Sequence, residues 1–219
     1  MALEIPLFPL RTALFPGMPL PLRVFEERYQ VMSRELLSSG GIFGVVLIKQ
    51  GQETGGGAIP FDIGTTARIE SHDELEGGQF VLTCRGAERF RLLRMLPPKP
   101  YPNGEVEIVS DLEPAPSETL TAAMDEAKAI FPEYFDLALA LSDQWARPFQ
   151  LPMHPHALVN ALGPWLRADE VEKQQLLETI EPLERVKSLV GLLIQLRDKV
   201  TKEAGDRRRR RYGGLGAQN

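Results

Sequence analysis

The sequence predicts an α+β protein, a β-rich unit followed by a small helical bundle. Short apolar segments with period-two alternation crowd residues 1–114, while helical spacing dominates residues 115–204. A proline-rich break, "LEPAPSE" at 112–118, stands between them. Residues 205–219 carry five consecutive arginines and no apolar period, and are expected to form a disordered tail.

Leu3 to Phe8 reads as a short apolar strand, with Pro6 pointing to an edge or a strand end. Leu20 to Phe25 reads as a second, in which Pro21 holds its neighbour extended. Phe25, Tyr29, Met32 and Leu36 then recur at helical spacing, and Gly40-Gly41 ends that helix. "IFGVVLIKQG" follows as a buried β-branched strand and "GQETGGGAI" as a flexible loop. "IGTTARIE", "GQFVLTCRG" and "ERFRLLRML" are expected to be separate strands with turns between them. About six short strands and one helix suggest a strongly bent sheet or pseudo-barrel. Leu14, Phe15, Leu20, Leu22 and Phe25 are its expected core.

The second half predicts helices over 118–131, 133–144, 156–167, 169–179 and 182–203. In the last, Glu181 takes the cap position and Pro182 the first turn, where a missing N–H costs nothing. Leu183, Val186, Leu189, Val190, Leu193 and Val200 form one stripe along it. That stripe suits a bundle core, or a homodimer contact as the alternative.

Composition excludes several classes. Apolar residues are 43% and charged residues 25%, the balance of a soluble globule. Glu4 and the early prolines argue against a secretory signal, and no run approaches the roughly 18 apolar residues of a membrane span. A cytoplasmic protein without membrane partners is expected. Cys84 is the only cysteine, which fits a reducing compartment. The net charge is −5, but one aspartate and five arginines make the tail +4 and leave −9 on the body. An acidic body repels nucleic acid, so any such affinity belongs to Arg207, Arg208, Arg209, Arg210 and Arg211.

The strings "IPLFPLRTALFPGMPLPLRVFEERYQVM", "FGVVLIKQGQETGG", "IGTTARIE", "GQFVLTCRGAERFRLL" and "PYPNGEVEIVSD" occur in that order. With "EKQQLLETIEPLERVKSLVGLLIQL" downstream, they resemble the N-terminal substrate-binding domain of Lon proteases over residues 3 to about 200. The resemblance implies a PUA-like β-rich subdomain, then a helical bundle, and a polypeptide or partner protein as ligand. It also implies a stand-alone domain lacking the ATPase and peptidase modules.

No motif supplies a catalytic centre, and no enzyme activity or cofactor is expected. "GQETGGGA" has Gly57 and Ala58 where a P-loop needs lysine and a hydroxyl. Ser71-His72-Asp73 has triad composition, but adjacent residues point apart and cannot form a relay; a polar turn is expected. His154 and His156 match no usual zinc spacing, so no metal is predicted. Arg89, Arg91 and Arg94 interleave with Phe90 and Leu92, which reads as a solvated sheet face, with single-stranded nucleic acid as the alternative. Peptide contact is assigned to Phe15, Met18, Tyr29 and Tyr101, through exposed apolar surface or an open sheet edge. The alternative is a PUA-like module that binds nucleic acid or a small molecule with help from the arginine tail.

Overall fold

The computed structural model describes residues 2–143 and 150–212. They form two compact units. One runs to Asp111 and recruits Glu170–Glu178; the other comprises Leu112–Asp169 and the chain from Thr179 onward.

The first unit is built on β1 (Ala2–Leu10), β2 (Pro19–Val24), α1 (Glu27–Ser39), β3 (Phe43–Gln50), β4 (Ile59–Pro60), β5 (Ile63–Glu74), β6 (Phe80–Leu96) and β7 (Asn103–Ile108). Antiparallel pairings run β1–β7–β6–β5–β3, and a parallel β1–β3 ladder, Leu7 opposite Gly44, closes the ring. Five strands thus make the expected pseudo-barrel. β2 lies outside that ring, paired with the first half of β6. Its Leu20, Leu22 and Val24 point inward while Pro19, Pro21 and Arg23 point out. Proline is tolerated on such an edge because no second neighbour needs its missing N–H.

Strand alternation sends side chains to two cores. Ile5, Leu7, Val46, Phe90, Leu92 and Val106 form one cluster. Phe8, Leu22, Phe43, Val45, Leu82 and Cys84 belong to a second, which Tyr29, Met32 and Leu36 of α1 complete. Each such large apolar side chain contributes about 1.5–3 kcal/mol when fully buried.

Three expectations here are corrected. β6 is one continuous strand, with no turn at Gly86. The glycine answers a close approach instead: Gly17 N–H donates to Gly86 O, Gly86 N–H donates to Met18 O, and a Cβ would stand 2.3 Å from Phe15 O. Phe25 is 55% exposed and precedes α1, so it is not core. Ser71, His72 and Asp73 lie within β5, extended and opposite Thr83, Leu82 and Val81, in place of the expected turn.

The second unit contains α2 (Glu118–Leu141), α3 (Pro155–Leu162) with a 3-10 turn at Gly163–Trp165, and α5 (Pro182–Tyr212). α2 replaces two expected helices and runs through Pro132. An interior proline costs about 3 kcal/mol. The buried face Leu120, Met124, Ala127, Phe131, Tyr134, Phe135 and Ala138 continues across it and outweighs that cost. Along α5, Val186, Leu189, Val190, Leu193 and Val200 are buried in the bundle.

Helix α4 (Glu170–Glu178) departs from the expected boundary, because it belongs to the β unit. Three polar tethers explain this. Ala13 N–H donates to Glu170 Oε2 at 2.7 Å, Gln174 Nε2 donates to Ile63 O at 2.8 Å, and Arg89 Nη1 donates to Leu177 O at 2.7 Å. Arg89 is therefore 2% exposed and ion-paired with Asp111, not part of a solvated face. A cation at the last carbonyls of a helix also suits its dipole. Arg91 and Arg94 remain exposed, the latter paired with Glu105.

Candidate functional site

The β unit carries a pocket of about 430 Å³. Five segments build it: Pro9 at the end of β1, Arg28 and Tyr29 at the start of α1, the loop 52–58, Met95 and Leu96 at the end of β6, and the run Pro98–Pro102. That run, "PKPYP", has three prolines that hold it extended without needing ladder hydrogen bonds. Leu7 N–H donates to Pro102 O at 2.8 Å and Asn103 Nδ2 donates to Tyr101 O at 2.8 Å, which fixes the run against β1.

Tyr29 is 2% exposed and stacks on Phe8, ring centroids 4.1 Å apart. The Arg28 guanidinium lies 4.5 Å from the Tyr29 ring centroid, a cation–π contact, and Arg28 Nη2 pairs with Glu26 Oε2 at 2.9 Å. Burial pushes the Tyr29 phenol up to about 12, with Arg28 opposing and Glu26 assisting. Tyr101 is also pushed up to about 12, first by burial and then by the hydrogen bond it donates to Glu35 Oε2. Both phenols are therefore neutral O–H donors at neutral pH. A second cavity of about 100 Å³, lined by Phe8, Leu22, Val24, Phe25 and Glu26 among others, shares Tyr29 and Glu53 with the first.

The sequence-assigned contacts divide. Tyr29 and Tyr101 both line the pocket. Phe15 is fully buried, so it is core and offers no ligand surface. Met18 is half-buried against the α1-side cluster and is not among the residues lining the pocket. Arg28, Met95 and the proline run were missed; the signal was the string "PPKPYPN", which reads as a connection until a wall is needed.

Nor does the arginine segment behave as a disordered tail. α5 continues to Tyr212, because arginine favours helix and glycine pairs arrive only at Gly213-Gly214. Residues 213–219 lie outside the described residues, as does the Arg211 side chain. Arg207 donates to Ala140 O at 3.0 Å and Leu141 O at 3.1 Å, and pairs with both Asp143 oxygens at 2.9 Å. It satisfies the orphan carbonyls at the end of α2. Arg208, Arg209 and Arg210 are exposed, with Arg209 on Asp206 at 2.6 Å.

His156 is buried and committed. Arg185 Nη1 stands 3.1 Å from its Nδ1, and since guanidinium only donates, Nδ1 accepts and Nε2–H donates to Leu112 O at 3.1 Å. Among the described residues, no group of three or more His, Cys, Asp or Glu could hold a metal ion. None of the described helices is long and apolar enough to cross a membrane.

A family model described as the ATP-dependent protease La (LON) substrate-binding domain matches residues 4–195. The chain belongs to this family. Among the relatives of the Lon substrate-binding domain are the Lon protease of Anaeromyxobacter dehalogenans and Lon protease 2 of Myxococcus xanthus. Each is 26% identical over 196 residues, 89% of this chain. The chain spans about a quarter of the length of these curated relatives. Among solved structures, the Lon N-terminal domain protein from Xanthomonas campestris superposes with a TM-score of 0.63 at 28% identity. The match covers 86% of this chain and 98% of that one. The N-terminal domain of a Mycobacterium avium complex Lon protease shares the fold, with a TM-score of 0.58 at 21% identity, covering 87% and 97%.

Proposed function

We propose that the 430 Å³ pocket of the β unit holds apolar segments of other polypeptides, as a non-catalytic recognition module in cytoplasmic protein quality control. The observation that carries this reading is the chemistry of the pocket wall. Prolines 9, 98, 100 and 102, Met95, Leu96 and two tyrosine rings present rigid apolar surface, which costs little entropy to bind against. Membership of a substrate-binding family supports it.

Binding is measured by fluorescence anisotropy with a labelled, extended aliphatic peptide. Met95 is 44% exposed, so Met95→Glu leaves the fold intact while placing a charge in the wall. It is expected to weaken the peptide by about ten-fold or more, the loss of roughly one buried apolar contact. Replacing Arg208, Arg209 and Arg210 together by Gln is expected to change nothing. Raising salt from roughly 50 to 200 mM should leave apolar binding intact, whereas phosphate contacts would weaken steeply. Binding of a labelled single-stranded oligonucleotide that is lost steeply with salt and in the arginine variant would instead favour the nucleic-acid alternative.

A further inference from the structure

Two polar atoms at the pocket find no acceptor among the described residues: Arg28 Nε and Tyr29 Oη. Both are closed to solvent, both belong to residues that line the 430 Å³ cavity, and both are donors. A buried donor without an acceptor is expensive, and native proteins retain few of them. The site has no surplus positive charge. Arg28, its one cationic lining residue, is matched by Glu26 at 2.9 Å and shares the lining with Glu53. A terminal carboxylate or a phosphate therefore finds no net opposite charge here. A neutral acceptor meets no such penalty.

We infer that the pocket recognises internal, uncharged stretches of chain, by receiving an amide carbonyl on Tyr29 Oη–H and Arg28 Nε–H while the adjoining aliphatic side chain lies against Pro9, Met95 and Leu96. This deepens the polypeptide-binding reading above and rests on it. The route to the donors is the glycine-rich loop after β3. Gly51, Gly55, Gly56 and Gly57 all have positive φ, and two bonds of 3.4 Å, Gly55 N–H to Glu26 Oε2 and Arg28 Nη2 to Glu53 O, hold the loop to the α1 start. Bonds of that length are weak, so the loop tip, Gly55 to Gly57, yields to an entering chain. Arg11 holds the base of the loop, its Nη2 donating to Gly51 O at 2.8 Å and its backbone N–H to Glu53 Oε1 at 2.5 Å. Among the described residues, the Tyr29 hydroxyl has no hydrogen-bond partner of its own.

The test is Tyr29→Phe, which keeps the ring that stacks on Phe8 and removes only the hydroxyl. Its affinity for an acetylated, amidated aliphatic peptide is expected to fall about ten-fold, the worth of one such hydrogen bond. Its melting temperature is expected to stay level or rise by a degree or two, because an unsatisfied buried group has been removed. The wild type is expected to prefer the capped peptide to the same sequence with a free terminal carboxylate. Equal affinity of Tyr29→Phe and wild type for the capped peptide would overturn the inference and leave the polypeptide reading standing. A melting temperature that falls with affinity would also overturn it, making the hydroxyl structural. Preference for the free carboxylate would replace the internal segment with chain-end capture. If neither peptide binds the wild type, the polypeptide reading itself fails.

Discussion

At the scale of single residues, the β unit conceals three ionisable groups whose protons are hard to remove. Burial pushes Tyr29, Tyr101 and Cys84 each up to about 12, from ordinary values of 10.0 for the phenols and 9.0 for the thiol. For Cys84, the nearby Glu70 adds to the burial effect. A raised value means that the folded chain keeps a proton where the unfolded chain has released it. The contribution is therefore complete below about pH 9 and lost as pH climbs toward 12. Urea melts should give level stability up to about pH 8 and a clear decline by about pH 11. The phenolate absorbance of Tyr29 and Tyr101 should rise only as the fold gives way. The Cys84 thiol, 0% exposed, should resist alkylation in the native protein and react promptly in urea. A thiol that reacts rapidly in the native state would place Cys84 outside the core.

Elements show why some of this fold is legible in sequence and some is not. Strands and helices with one clean period, β3, α1 and the start of α5, stand where apolar spacing puts them. Two of the misreadings share a cause: a residue that usually punctuates the chain serves a tertiary need. Gly86 lies inside β6 because Phe15 O passes too close for a Cβ, and Pro132 sits inside α2 because the buried face continues past it. Neither neighbour is visible along the sequence. Of the four contacts assigned from sequence, two line the pocket. Tyr29 and Tyr101 are aromatic residues beside a proline-rich opening and a last strand, but Arg28 joins them only because the helix start and the glycine loop meet. The end of α5 makes the same point in reverse, since a charge run that reads as solvated includes one arginine with a fixed structural role. Arg207→Ala should cost about 0.5–1 kcal/mol by denaturant unfolding, the scale of a partly exposed cation on helix-terminal carbonyls. Arg207→Lys should recover little, because a point charge cannot reproduce the guanidinium fork on two carbonyls and a carboxylate. Arg208→Ala should be silent.

For the molecule as a whole, the consequential fact is that the β unit is not contiguous in sequence. Its barrel closes within the first 111 residues, yet α4, drawn from residues 170–178, is part of the same compact body. Leu176 and Leu177 are 2% and 1% exposed, and Gln174 Nε2 and Arg89 Nη1 each donate a hydrogen bond across the α4–barrel contact. Cutting at the break that composition suggests, near residue 114, removes all of this at once. The two leucines alone are worth about 3–6 kcal/mol. The loss also leaves Arg89 with its Leu177 partner gone, a buried cation short of an acceptor. Since whole domains are stable by only about 5–15 kcal/mol, a fragment of residues 1–114 should lose most of its margin. It should show strand-rich far-ultraviolet dichroism without a sharp cooperative melt, and it should lose peptide affinity because the barrel that shapes the pocket is no longer fixed. A fragment in which residues 168–180 are fused after 114 through a flexible linker should recover the sharp transition and the affinity together. A cooperative melt from the unsupplemented fragment would show that the barrel stands without α4, and that the three tethers are incidental to it.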